Sequence, residues 1–307
     1  MQANAVVFPA PNQVEFRTVD CPEPGPGDVD LEILYCGVCH SDLHFGREDP
    51  AVADALARDL ADLRPDVLVV SGDLTQRARA GQFRLARDYL ARLPTPQIVV
   101  PGNHDVPLFA FWRRIFSPFG RFRRFATPDV WPAWRSGDVA ILGLNTACRL
   151  APRLSGFWKD GLIDGRQCEQ IPRRFAALGD ASVRVLVAHH PFIEPPGGHR
   201  HGIVHNAAEA LAACEQAQVD LILSGHVHMA YRADVREQHP QVSRPILNLV
   251  AGSAISNRRR EAFNSYNVIR VEGGVARIEL RVHAGKEWSA PVDAPAGHPF
   301  TGGGGGN

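Results

Sequence analysis

Five short stretches of this chain carry side chains that hold metals or move protons. They are Asp42-Leu43-His44, Gly72-Asp73, Gly102-Asn103-His104-Asp105, His189-His190-Pro191 and Gly225-His226-Val227-His228. Carboxylate, imidazole and amide oxygen together suit Mn, Fe or Zn better than Ca or a metal selected by thiolates. Asp-x-His and His-x-His put two donors two residues apart, which in loops groups them around a metal pair. One carboxylate can bridge two cations, and Asp73 is the candidate bridge. Two ions held roughly 3.5–4 Å apart lower the pKa of a shared water and neutralise phosphate oxygens during in-line attack. Gly-Asp alone after a strand is an ordinary turn; the weight lies in the five groups together.

The elements that must position these groups are legible as apolar runs. Val67-Leu68-Val69-Val70 precedes Asp73, Ile98-Val99-Val100 precedes Asn103, residues 183–187 precede His189, and Leu221-Ile222-Leu223 precedes His226. Sites in open α/β sheets form beyond the carboxyl ends of such strands. An Asp49-Pro50 start predicts a helix with Val52, Leu56, Leu60 and Leu63 on one face. A second helix carries Phe83, Ala86, Leu90 and Leu93 and ends at Pro94-Thr95-Pro96. The β-α-β-α-β order predicts a mostly parallel sheet with covering helices. A strand at 139–144 and helices at about 167–178 and 207–216 are expected. Residues 246–250, 267–271 and 275–282 are expected as antiparallel strands closing a second sheet. Residues 109–125 read as an amphipathic helix that buries Phe and Trp and solvates Arg113, Arg114, Arg121, Arg123 and Arg124, in preference to a lid or anion-steering surface. The histidines of loop 199–205 read as exposed loop residues.

With 307 residues, 45% hydrophobic and 21% charged, the chain can bury a large core, and its formal net charge of zero gives no global field to recruit nucleic acid or membrane. No apolar run approaches the roughly 20 residues of a membrane span. The start lacks a basic region followed by a long apolar one, so no signal peptide is expected. The six cysteines are scattered, and Cys36-Gly37-Val38-Cys39 has no second such pair. They read as reduced thiols of a cytoplasmic protein rather than as disulfides or a structural zinc site.

Tyr35-Cys36-Gly37-Val38-Cys39-His40-Ser41-Asp42 resembles the start of the zinc-dependent medium-chain alcohol dehydrogenases, where the Cys matching Cys39 is a catalytic zinc ligand. That resemblance covers about the first 44 residues. No Gly-His-Glu motif follows and no GxGxxG fingerprint appears, and a dehydrogenase without its cofactor fold cannot transfer hydride. From about residue 41 to 283 the chain resembles the calcineurin-like metallophosphoesterases, near the bacterial cyclic-nucleotide phosphodiesterase branch, with all the motifs above in family order. The resemblance implies an α/β fold, a four-layer α/β/β/α sandwich of two mixed sheets flanked by helices. It divides the chain into a dehydrogenase-like segment at 1–40 supplying a first strand at 31–38, a phosphoesterase domain at 41–283, and a disordered tail at 284–307 ending in a glycine run.

By the same resemblance, one metal takes Asp42, His44 and His228, the other takes Asn103, His189 and His226, and Asp73 bridges them. His104 faces the leaving oxygen and protonates it or stabilises its charge, Asp105 orients that imidazole, and His190 stands behind His189. The implied reaction is hydrolysis of a phosphodiester, a cyclic nucleotide or a small glycerol- or nucleotide-type diester, by attack of a metal-bridging hydroxide. Two ions, Mn, Fe or Zn, are the cofactors, and the partner is a small substrate with no membrane. Alternatives are a phosphomonoesterase or a nuclease of the same fold, or a non-catalytic scaffold. A nuclease needs a basic track, hinted at only by the arginines of 113–124 and by Arg258-Arg259-Arg260; a scaffold would show lost ligands, and none is lost. The oligomeric state stays open, a homodimer included.

Overall fold

The computed structural model describes residues 50–148, 159, 161–195, 203–255, 263–272, 275–284 and 287–289, with the strand backbone at 2–7, 15–20 and 31–36. Strands β1 (Gln2–Val7), β2 (Glu15–Asp20) and β3 (Leu31–Cys36) precede helix α1 (Pro50–Leu63). Next come β4 (Val67–Val70), α2 (Ala80–Leu90), β5 (Gln97–Val99) and two short helices, α3 (Phe111–Phe116) and α4 (Gly120–Phe125). Then follow β6 (Ala133–Ser136), β7 (Val139–Leu144), α5 (Gly165–Leu178), β8 (Val183–Ala188), α6 (Ala207–Gln216) and β9 (Leu221–Ser224). The last elements are β10 (Tyr231–Asp234), β11 (Leu247–Val250), β12 (Ser265–Glu272), β13 (Val275–Ala284) and β14 (Glu287–Ser289).

The strands form two mixed sheets. The first runs β2-β1-β13-β12-β3-β4-β5 with β14 on β13, and the second runs β10-β11-β9-β8-β7-β6. Strands β3, β4 and β5 are parallel neighbours, as are β11, β9, β8 and β7, so the carboxyl ends within each group lie on one side of the sheet. Strand β3 runs beside β4, with Ile33 opposite Val67 and Cys36 opposite Val70; residues 37 and 38 of the expected first strand lie outside the described residues.

Period-two alternation sorts the apolar side chains into three cores, and three cores separate four layers. Leu68 and Val70 of β4 face α1, α2 and α4, while Val67 and Val69 face the other sheet. In β8 the order is the same, with Leu186 and Ala188 under α5 and α6, and Val183, Val185 and Val187 between the sheets. Helix α1 lays Val52, Leu56 and Leu60, one helical face, into the first of these cores. The result is the α/β/β/α sandwich.

Three expectations change. Strands β12 and β13 close the first sheet, with β12 antiparallel to β3, and β11 joins the second sheet parallel to β9. Periodicity reports which faces are apolar, not which sheet a strand joins; Ile269 and Val271 of β12 complete the inter-sheet core from the first sheet's side. The tail expected from 284 instead begins with β14, which pairs Trp288 with His283 and buries its indole against Tyr266. Residues 109–125 form two short helices, of which only Phe122 is buried in either, while Phe111, Trp112 and Phe116 stand exposed. The glycine run and loop residues 199–202 lie outside the described residues, and His205 is half-buried, its N–H donating to the Gly161 carbonyl oxygen.

Candidate metal centre

The site forms where the carboxyl ends of β4, β5, β8 and β9 meet. Leaving β4, the chain turns through Ser71, Gly72 and Asp73, and both Gly72 (φ 95°) and Asp73 (φ 59°) are left-handed. His226 (φ 72°) and His228 (φ 60°), after β9, share that conformation. A left-handed backbone strains any residue but glycine, and such strain persists where the surroundings fix it, typically at functional sites. The loops after β4 and β5 touch backbone to backbone. A Cβ on Gly102 would sit 2.0 Å from Asp73 Oδ1, so glycine is required there by proximity.

Asp105 pins these loops together. Its carboxylate accepts the N–H groups of Leu74 (3.1 Å), Thr75 (2.9 Å) and Gly102 (3.0 Å) and the Thr75 hydroxyl (3.1 Å). It therefore does not have the expected role of orienting His104. The His104 ring places Nδ1 3.0 Å from the Gln76 carbonyl oxygen, and the His104 backbone N–H donates to Asp73 Oδ1 at 2.9 Å. Four donors favour an ionised Asp105, but burial and the nearby charge of Asp73 outweigh them and push its pKa up to about 7.

His189 is the hub. Its Nδ1 lies 2.7 Å from the Ser71 carbonyl oxygen and donates to it, which turns Nε2 inward. Around Nε2 stand Asn103 Oδ1 at 3.2 Å, His226 Nδ1 at 3.2 Å and Asp73 Oδ2 at 3.3 Å. Four atoms with lone pairs thus converge in a buried place, an arrangement that calls for positive charge. The electrostatics agree. Burial opposes a charge on His189, but the charge and hydrogen bond of Asp73 and the Ser71 carbonyl overcome it and raise the imidazole's pKa. Burial likewise opposes ionisation of Asp73, yet His189, His104 and His226 hold it well below the usual carboxylate range. His226 is driven down to about 3, by burial first and by His189 second, so it is neutral with a lone pair to give. A metal cation meets the demand of this donor set, and the residues present fit one.

Ring nitrogens of His189, His190 and His226 all lie within 4.8 Å of one another, but those of His190 are committed. Its Nδ1 accepts from the Thr146 hydroxyl at 2.8 Å and its Nε2 donates to the Lys159 carbonyl oxygen at 3.0 Å. Burial, then the neighbouring imidazoles, keep it neutral. His190 stands behind the centre and braces it. His228 has Nδ1 3.2 Å from the Ser253 hydroxyl. Asp42 and His44, expected with His228 at a second ion, lie outside the described residues, as do Arg258, Arg259 and Arg260.

Sequence reasoning missed the groups that aim the ligands: the carbonyls of Ser71 and Gln76, Thr146 behind His190, and Ser253. Backbone carbonyls leave no trace in residue type. Ser253 had one, since Gly252-Ser253 follows the apolar run of β11 as Gly72-Asp73 follows that of β4.

The family model described as calcineurin-like phosphoesterase matches residues 38–230. A probable cyclic nucleotide phosphodiesterase from Synechococcus is 28% identical over 182 residues, which span 58% of this chain and 64% of that protein. The aldehyde reductase YahK of Escherichia coli is 48% identical over 50 residues, 16% of this chain and 14% of the reductase. The fold is similar to that of a purple acid phosphatase from yellow lupin, with a TM-score of 0.57 and 13% identity over 91% of this chain and 55% of the phosphatase.

Proposed function

The chain belongs to the calcineurin-like phosphoesterase family, and from that premise we propose that it is a two-metal phosphodiesterase acting on a cyclic nucleotide or another small diester. The observation that carries this reading is the convergence of Asp73 Oδ2, Asn103 Oδ1 and His226 Nδ1 on His189 Nε2. In this reading Asp73, Asn103, His189 and His226 hold one ion. Asp42, His44 and His228, with Asp73, would hold the other. The mixed donor set favours Mn, Fe or Zn. Such ions, when bound, would supply an acidified water as nucleophile and neutralise phosphate oxygens.

The chain's own groups do the rest. The Ser71 carbonyl fixes the tautomer and the direction of His189. The Gln76 carbonyl holds Nδ1 of His104, so His104 in its protonated form delivers the Nε2 proton to the leaving oxygen. Asp105 locks the two loops that carry Asp73 and His104 into register. The similarity to the Synechococcus protein supports a diester over a monoester. Among the described residues no helix is long and apolar enough to cross a membrane.

The test is a pair of rates with Mn²⁺ present. The protein should hydrolyse bis(p-nitrophenyl) phosphate with kcat/KM at least tenfold above that for p-nitrophenyl phosphate. The reverse ratio would make it a monoesterase.

A further inference from the structure

Six large hydrophobic side chains are exposed among the described residues, and four of them fall in one short stretch: Phe109, Phe111, Trp112 and Phe116, each 60–76% exposed. Scattered exposed apolar residues need no explanation, but a contiguous set marks a binding surface. The rings are organised. Trp112 and Phe116 stack with centroids 5.9 Å apart and planes 12° from parallel, and Phe111 meets Trp112 edge-on at 5.5 Å. The segment beneath them is tied down by arginines: Arg114 donates to the carbonyl oxygens of Pro107 (3.0 Å) and Cys148 (3.3 Å), and Arg121 to that of Ala78 (2.6 Å).

Its position links it to the metal centre. Phe109 comes four residues after Asp105, on the chain leaving the Asn103-His104 loop. The guanidinium of Arg77 lies over the Phe109 ring at 5.7 Å, and Arg77 directly follows Gln76, whose carbonyl holds His104. The surface therefore begins beside the residue assigned to the leaving oxygen. Arg77 and Arg113 are exposed along it and favour a ligand that carries phosphate.

We propose that this aromatic surface is a platform for the base of a nucleotide-type phosphodiester, with the base stacked on Phe109 and Trp112 while its phosphate reaches the metal centre. The proposal rests on the phosphodiesterase reading and narrows its substrate class from small diesters in general to nucleotides. Stacking on an aromatic face tolerates any base, so it confers nucleotide preference without base specificity. A second copy of this chain is the poorer occupant. A standard interface needs about 800 Å² on each partner, more than four partly exposed rings supply at roughly 150–250 Å² each when wholly buried.

The test uses the full chain loaded with Mn²⁺ and a fluorescent nucleotide, ethenoadenosine 5′-monophosphate, followed by anisotropy. Phe109→Ala and Trp112→Ala should each weaken its binding about tenfold, and ribose 5-phosphate should compete at least tenfold less well than adenosine 5′-monophosphate. Because both side chains are exposed, neither variant should alter the fold, and circular dichroism checks this. In turnover, Trp112→Ala should lower kcat/KM for 3′,5′-cyclic adenosine monophosphate about tenfold more than for glycerophosphoethanolamine, with the loss in KM. Undiminished binding in both variants, or ribose 5-phosphate competing as well as the nucleotide, would overturn the platform. So would sedimentation showing a wild-type dimer that Trp112→Ala dissolves. If the wild type bound the nucleotide as described but cleaved no diester, the phosphodiesterase reading would fail and the base platform would stand.

Discussion

His104 and Asp105 are adjacent, and the structure gives them different work. His104 rests Nδ1 on the Gln76 carbonyl, and with the acid role proposed for it His104→Ala should remove proton delivery to the leaving oxygen. For an alkyl diester kcat should fall about 10²–10⁴-fold. For bis(p-nitrophenyl) phosphate, whose leaving group departs unprotonated, the fall should be far smaller. Equal losses on both substrates would make His104 a structural residue. Asp105 instead accepts three backbone N–H groups and a hydroxyl, all buried. Asp105→Asn turns an amide NH₂ toward some of those donors. Each buried N–H left without an acceptor costs about 1–3 kcal/mol. Urea unfolding should show that loss, and metal affinity should drop with it because the Asp73 loop loosens. The residue types at the site were legible because metal chemistry restricts them to His, Asp and Asn. The partner of each was not: nothing in the letters Asp105 says whether its carboxylate meets a ring or a backbone.

Among the elements, the strands that end at the site were the easiest to see, since Val67–Val70 and Leu221–Ser224 are buried on both faces and read as continuous apolar runs. Strand β14 was hidden for the opposite reason. Glu287, Trp288 and Ser289 form no apolar pattern; they become a strand because β13 offers an edge and Tyr266 a surface for the indole. Trp288→Ala should therefore cost about 3–5 kcal/mol in chemical denaturation, whereas a disordered tail would cost nothing. Residues 109–125 were misjudged by the same logic run backwards. Aromatic residues at helical spacing normally mean burial, and that holds here only for α4, whose Phe122 and Phe125 pack on Phe83, while Phe111, Trp112 and Phe116 of α3 stay exposed. At the loop scale, Gly102→Ala forces a methyl group into the Asp73 carboxylate. Its circular dichroism spectrum should stay close to wild type while bound Mn²⁺, measured after dialysis, falls severalfold. Full metal retention would show that the Asp73 loop can shift without loss.

For the whole molecule, the centre is a seam between two sheets. His189, at the end of the second sheet's β8, donates to the carbonyl of Ser71 at the end of the first sheet's β4, 118 residues earlier. The layered fold was predictable from alternating β and α periods, but the meeting of the two sheet ends depends on long-range packing that local pattern does not encode. A cation bound across the seam ties both halves together, so it should stabilise the fold by linkage, about 2.7 kcal/mol at a metal concentration 100 times Kd. We place a catalytic metal centre in this seam. The decisive experiment assays metal-stripped protein on bis(p-nitrophenyl) phosphate, with and without Mn²⁺, for the wild type and Asn103→Ala. A metal centre there gives no turnover without metal, turnover restored by Mn²⁺ in the wild type, and little or none in the variant. Metal-independent turnover, or folded wild type that stays inactive at every metal concentration, would contradict it.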